Sequence, residues 1–245
     1  MAYDIIGNIA ILKEADKKLA KKILRERKQV KSVYVKADKV KGRLRTIKTR
    51  WLAGEKNKEA LYVESGCKFK FNIEKCYFSS RLAGERAEIA GKIKKDDNVL
   101  VLFGGVAPCA IVIAKLSGAK VVSVELGRAC CRYANENVLI NKLSDNVEII
   151  QGDVKKLGKL IKKEKFDVIV MPRPQVKESF LEGITAFVKK GTRIYYYDFG
   201  RQEDLGGILS KIKKDFKKKY KIMRIKRAGE IAPYKFRFRV DLVVK

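Results

Sequence analysis

The sequence predicts an α/β protein: a mostly parallel sheet covered on both faces, preceded by a smaller α+β module. Three observations carry this. From residue 79 onward, apolar strand-like runs alternate with helical stretches, the pattern of strands joined by crossover helices. Ahead of that point, β-type runs crowd together between glycine turns with a single helix among them. The chain is also 245 residues long and 46% hydrophobic, enough for one catalytic-size domain and a small appendage, each with a core.

In the first module, residues 1–72, the strand-like runs are 3–12, 30–36, 43–51, 60–64 and 68–72, punctuated by Gly7, Gly42, Gly54 and Gly66. The helical stretch is 15–26. In the second module, residues 73–245, helices are expected at 82–92, 108–116, 128–141 and 176–188. Strands are expected at 98–103, 120–124, 147–150 and 166–171, with 193–197 and 236–244 closing the sheet edge.

Composition narrows the partner. Lys and Arg total 57 against 28 Asp and Glu, a net charge of +29 spread along the chain. Solubility alone needs a net charge of about 2 to 8 in a small domain, so a polyanion, nucleic acid first, is the expected partner. The five cysteines form no CxxC pair and histidine is absent, so neither a disulfide framework nor a zinc site is expected. Proton transfer therefore falls to a carboxylate, Lys, Tyr or water. The N-terminus is too acidic for a secretory signal. The longest uncharged run, 99–114, is shorter than the roughly 18 to 20 residues of a membrane span and is interrupted by Gly104, Gly105 and Pro108. No membrane association, no protein partner and no metal are expected.

In an open α/β sheet ligands gather beyond the carboxyl ends of the strands. Three loops lie there. Phe103-Gly104-Gly105-Val106-Ala107-Pro108 lets the backbone approach a ligand and turns into a helix whose free N–H groups can receive a carboxylate. Glu125 ends the next strand, where an acidic side chain can accept ribose hydroxyls. Gln151-Gly152-Asp153 ends the third, with a carboxylate suited to an adenine amino group.

The run Cys76-Tyr77-Phe78-Ser79-Ser80-Arg81-Leu82-Ala83-Gly84-Glu85-Arg86 resembles the YFSPRLxxER signature of the archaeal and eukaryotic tRNA methyltransferases that make 1-methylguanosine at nucleotide 37. The resemblance continues through Ile6-Gly7-Asn8-Ile9-Ala10, Gly42-Arg43-Leu44-Arg45, the 103–108 loop, Asn135-Glu136-Asn137, Asn141-Lys142, Gly152-Asp153, Ile194-Tyr195-Tyr196-Tyr197 and Ala232-Pro233. It implies a Rossmann-type class I methyltransferase domain behind a small tRNA-contacting domain, with S-adenosylmethionine as cofactor, tRNA as partner and the cytoplasm as location. Members usually carry a further N-terminal domain that inspects the outer corner of the tRNA, and the chain is expected to start after it.

The resemblance also assigns roles. Glu85 is the implied base for the guanine N1 proton and Arg45 the cation for charge building on O6. Tyr77 and Arg81 shape the guanine pocket. Arg86, Phe103, Gly105, Ala107, Glu125, Asp153 and Pro174 form the cofactor site. On spacing alone, Glu85 and Arg86 read as an exposed helix pair, and Arg45 as a strand residue binding phosphate. Several positions depart from the family pattern. Val101 replaces an acidic residue, Ala107 a glycine, Glu125 the usual Asp, Gly127-Arg128 an Asn-Pro, and Pro172-Arg173-Pro174 an Asn-Leu-Pro. Because Pro172 lacks the amide that holds guanine, Arg173 is the expected substitute donor. Two alternatives stand beside guanine-N1 methylation: aminocarboxypropyl transfer in wyosine-type synthesis, and tRNA binding without catalysis.

Overall fold

The computed structural model describes residues 3–37, 46–162 and 164–245. The chain opens with β1 (Tyr3–Ile6) and β2 (Ile9–Leu12), a hairpin where a single strand was expected. Gly7 makes the turn with φ +58°, and a Cβ there would stand 1.8 Å from the Leu61 carbonyl oxygen, so only glycine fits. Asn8 beside it accepts from Leu61 N at 2.7 Å, tying the turn to the segment around residue 61. Helix α1 (Lys17–Glu26) starts at Asp16, whose carboxylate accepts from Leu19 N at 2.8 Å, a capping contact. It buries Ala20 and Ile23. Strands β3 (Ser32–Lys36) and β4 (Thr49–Gly54) complete a four-stranded sheet of order β1-β2-β3-β4.

A two-stranded hairpin follows, β5 (Glu59–Glu64) and β6 (Cys67–Asn72). Its inward residues Ala60, Cys67, Phe69 and Phe71 join the same hydrophobic cluster as Val99 and Val101 of the large sheet. The same cluster holds Ile9, Ile11 and Tyr34 of the first sheet, so the hairpin packs between the two sheets.

The second module runs α2 (Ala83–Ala90), β7 (Asn98–Leu102), α3 (Pro108–Ser117), β8 (Lys120–Glu125), α4 (Arg128–Ile140), β9 (Val147–Gln151), the short α5 (Leu157–Leu160) and β10 (Phe166–Met171). It ends with β11 (Val188–Gly200), α6 (Leu205–Asp215), β12 (Tyr220–Ala232) and β13 (Lys235–Val244). The seven strands of this sheet lie in the order β12-β13-β11-β10-β7-β8-β9. Strands β11, β10, β7, β8 and β9 are parallel, while β13 and β12 are antiparallel additions. This is the Rossmann-type arrangement expected. The order reverses between β7 and β10, which opens a crevice at their carboxyl ends.

Alternation along the strands feeds both cores. Val99, Val101, Val168 and Val170 face the cluster that holds α3, and Leu100, Leu102, Ile169 and Met171 face the one that holds Ile208 and Ile212 of α6. No helix among the described residues is long and apolar enough to cross a membrane.

One helix is corrected. Residues 176–188 do not form an α-helix: a 3-10 turn spans Glu182–Phe187, and Val188 already starts β11. The cause is Arg173, whose Nη1 donates to the carbonyls of Val176 and Glu178 at 2.8 Å each and so pins residues a helix would have paired internally. Helix α6 and strand β12 escaped the sequence reading. The first carries Gly206 and Gly207 in its opening turn, which mask its period, and the second is a solvated edge rich in Lys and Arg.

Candidate active site

The cavity at the switch point has a volume of about 400 Å³. Its floor is the carboxyl ends of the parallel strands and its roof the 77–89 segment. Tyr77, Glu85, Arg86, Phe103, Gly105, Glu125, Asp153, Arg173 and Pro174 all line it.

On the β7–β9 side the loop after Leu102 lies low against β8. Phe103, Gly105 and Ala107 have φ of 58°, 59° and 63°, so alternate residues take the left-handed region. A Cβ on Gly104 would stand 2.2 Å from Ser123 Oγ, so glycine permits this approach. Ala107 is fully buried behind the wall as the N-cap of α3; holding an alanine there costs about 1 to 2 kcal/mol relative to glycine. Glu125 closes β8, and its carboxylate accepts from Gly105 N at 2.8 Å and Gly127 N at 2.7 Å. It fastens two loops while keeping further lone pairs, since an ionised carboxylate has about four acceptor directions. Asp153 accepts from Lys155 N at 3.0 Å and caps the turn after β9.

The opposite side carries charge. Glu85 is 9% exposed and Arg86 6%, so they are not an exposed helix pair. Arg86 binds Glu64 of β5 through two contacts of 2.5 Å, a buried bidentate pair. Glu85 accepts from the Tyr197 hydroxyl at 2.9 Å and from Lys226 Nζ at 2.9 Å, and it pairs with Arg239. Burial, and then the Glu85 carboxylate beside it, push the Tyr197 hydroxyl well above its ordinary range, so it stays a donor. Arg239, fully buried, also reaches Glu88 at 2.7 Å and Asp241 at 2.6 Å. Burial works against ionisation of Glu88, yet hydrogen bonds from Lys226, Arg239 and Lys92 outweigh it and hold its carboxyl well below the usual range.

Arg81 is on the surface, where it pairs with Asp4 at 2.6 Å. Arg45 lies outside the described residues. Arg173 is 2% exposed: besides the Val176 and Glu178 carbonyls, it donates through Nε to Tyr197 O at 2.9 Å and pairs with Asp198. Its guanidinium fastens the β10 loop to β11, which differs from the expected role of donor to guanine. Tyr197, Lys226, Arg237 and Arg239 were not singled out from sequence. For Arg237 and Arg239 a signal was available: they and Asp241 alternate with Phe238, Val240 and Leu242, and charges on an internal strand require partners.

Residues 60–225 match the model of the TRM5/TYW2 methyltransferase domain. The chain is 34% identical to the tRNA (guanine(37)-N(1))-methyltransferase Trm5b of Pyrococcus abyssi across 83% of its length, and spans 61% of that relative. It is 30% identical to the tRNA (guanine(37)-N(1))/4-demethylwyosine(37)-methyltransferase Taw22 of Nanoarchaeum equitans, with 99% of both chains covered. The crystal structure of the Pyrococcus abyssi protein superposes with a TM-score of 0.87 at 32% identity, over 99% of this chain and 74% of that one. The structure of aTrm5 in complex with tRNALeu superposes with a TM-score of 0.86 at 27% identity, over 100% of this chain and 72% of that one. By both sequence and fold, the chain belongs to the TRM5/TYW2 methyltransferase domain family.

Proposed function

We propose that this chain is an S-adenosylmethionine-dependent tRNA methyltransferase that acts on N1 of guanosine 37. The observation that carries the reading is one cavity with a nucleoside cradle on its β7–β9 side and a buried carboxylate, Glu85, on the other. The residues of the cradle fit the cofactor. Glu125 has lone pairs left for ribose hydroxyls, Asp153 closes the adenine end, and Gly104 and Gly105 leave room for a ligand against the start of α3. S-adenosylmethionine, when bound, supplies an electrophilic methyl group. Guanine N1 carries a proton at neutral pH, so the chain must remove it and stabilise charge moving to O6. Glu85 takes the proton. Tyr77 and the Pro172–Pro174 loop wall the base, and the basic surface holds the tRNA in the cytoplasm.

Mass spectrometry of nucleosides from unmodified tRNA incubated with protein and methyl donor tests this directly. 1-Methylguanosine at nucleotide 37 is the expected product, and an unmodified digest would sink the proposal. A second reading has its own support, because the Nanoarchaeum equitans relative that aligns end to end is named for 4-demethylwyosine as well. Methylation of tRNA bearing 4-demethylwyosine at nucleotide 37 would add that substrate; an aminocarboxypropyl adduct would replace methyl transfer as the chemistry.

Two outcomes are expected here. Glu125→Ala should weaken S-adenosylmethionine binding by roughly ten- to a hundredfold, for one or two lost hydrogen bonds to a charged acceptor, with tRNA affinity little changed. Calorimetric titration measures the first and filter binding the second; equal losses in both would mean a folding defect instead of a lost ribose contact. Binding of tRNA should weaken steeply with salt, with a log–log slope of about −0.7 to −0.9 per phosphate neutralised. A flat response in filter binding would contradict a phosphate-dominated interface.

A further inference from the structure

The large sheet ends on one side in the hairpin of β12 and β13, which is longer than the strand it joins. Strand β11 stops at Gly200, opposite Phe236, whereas β12 and β13 stay paired as far as Ala232 and Lys235. Because β13 runs antiparallel to β11, the overhang lies at the carboxyl ends of the parallel strands, the side on which the cavity opens. Arg237 lines that cavity, and the turn residues Pro233 and Tyr234 come three to four residues before it, about 10 to 14 Å further out at the rise of a strand. The tip of the hairpin therefore stands at the cavity mouth.

Packing does not explain Tyr234. It is 78% exposed, and among the described residues its backbone alone is engaged, the N–H donating to Glu230 Oε1 at 3.1 Å. Its φ is 60°, the left-handed region in which glycine is the relaxed choice for a turn and a bulky side chain is an outlier. An aromatic that neither buries its ring nor suits its backbone points to a partner for that ring. The surrounding charge says of which kind. Strand β12 and the first residue of β13 carry Lys221, Arg224, Lys226, Arg227 and Lys235 against one carboxylate, Glu230. Basic side chains beside an exposed aromatic fit a single-stranded nucleic acid, whose phosphates meet the cations and whose bases meet the ring.

We propose that Tyr234 stacks against a base that flanks the target nucleotide and holds the tRNA loop open at the cavity mouth. The inference rests on the reading of the chain as a tRNA methyltransferase. Glu85 and the cofactor cradle line the inside of the cavity, so the target base has to leave its stack to enter, and its neighbours are left with an uncovered face. A flat ring at the mouth covers one such face. Lys235 and Arg227, the latter held over the Phe236 ring at 4.4 Å, take the phosphates beside it. Tyr234 is not part of the cavity lining, so it positions the strand and takes no part in methyl transfer. Every base offers a π face, so the contact is indifferent to the identity of the flanking nucleotide.

Tyr234→Ala and Tyr234→Phe test the assignment by equilibrium binding and single-turnover methyl transfer, on intact tRNA and on tRNAs with an abasic residue at nucleotide 36 or at nucleotide 38. The Ala variant should bind intact tRNA about five- to a hundredfold more weakly, the range for one lost stack between a base and an aromatic ring. At saturating tRNA its rate should stay within about threefold of the wild type, because what is lost is binding. The Phe variant keeps the face of the ring and should bind within about twofold of the wild type. On one of the two abasic tRNAs Tyr234→Ala should cost nothing further, since the ring has no base to cover. An equal cost on all three tRNAs would place the ring against something other than a flanking base and overturn the proposal. Equal losses in the Ala and Phe variants would make the hydroxyl the contact, with the same consequence, and so would unchanged affinity in both. A wild-type dimer that Tyr234→Ala dissolves, with tRNA affinity intact, would make the tip a contact between copies of the chain and overturn it as well. A wild-type protein that shows the stacking pattern but leaves every tRNA unmethylated would refute the functional reading and leave the contact standing, so the two failures are distinguishable.

Discussion

Glu85→Gln is expected to slow single-turnover methyl transfer by roughly two to four orders of magnitude, the usual contribution of a positioned general base. Glutamine keeps the size of the side chain and an oxygen for the Tyr197 hydroxyl, but it has no lone pair basic enough to take the N1 proton. The surroundings make the comparison informative. Lys226 and Arg239 lose one carboxylate in the variant yet remain paired with Glu88, and Arg239 also with Asp241, so neither cation is left alone. The fold should survive, and affinities for tRNA and the methyl donor should stay near those of the wild type, because the polar partners of Glu85 are Tyr197, Lys226 and Arg239 and not the cradle residues. Glu85→Asp retains a carboxylate at a shorter reach and should lie between the two. Wild-type single-turnover rates in Glu85→Gln would take Glu85 out of the chemistry and leave it as one member of a structural charge cluster.

That cluster marks the limit of what could be read from sequence. The strands β7, β8, β9 and β10 were legible because a strand buried on both faces is a short apolar run, and the loops that follow such strands point to the ligand without further information. That reasoning singled out Glu125 and Asp153, and the motif around Glu85 singled out that residue; all three line the cavity. Strand β12 was not found: an edge strand with most of its residues in solvent has neither an apolar run nor a clean alternation. Lys226 and Arg239 meet Glu85 across 141 and 154 residues of chain, a pairing set by strand register that no local spacing encodes. Arg173 shows the opposite failure. Its neighbourhood in sequence suggested a donor facing the substrate, while the carbonyls left unpaired by the irregular 174–178 segment claimed it for the scaffold.

Arg239→Met is expected to cost about 3 to 5 kcal/mol of stability, the range for removing one partner of a buried ion pair. For a domain of 150 to 250 residues each kcal/mol moves the melting temperature by about 2 to 4 °C, so the midpoint should fall by roughly 6 to 20 °C. Methionine fills much of the volume, so a lost cavity contact explains little of the change. What remains is electrostatic: Glu85, Glu88 and Asp241 stay where they are, with Lys226 and Lys92 as the nearby cations. The sign with pH follows from Glu88, whose carboxyl is held below its ordinary value in the folded protein despite burial. A depressed carboxyl contributes stability above its unfolded pKa, about 4.3, and the contribution is lost as pH falls through the folded value. The wild type therefore loses its advantage on acidification, while the variant is relieved of repulsion as the same carboxylates take up protons. Denaturant midpoints measured at pH 7 and again near pH 4 should show the gap between the two proteins narrowing. A gap of equal size at both pH values would mean that Arg239 stabilises the sheet by packing alone, and that the carboxylates around it do not depend on its charge.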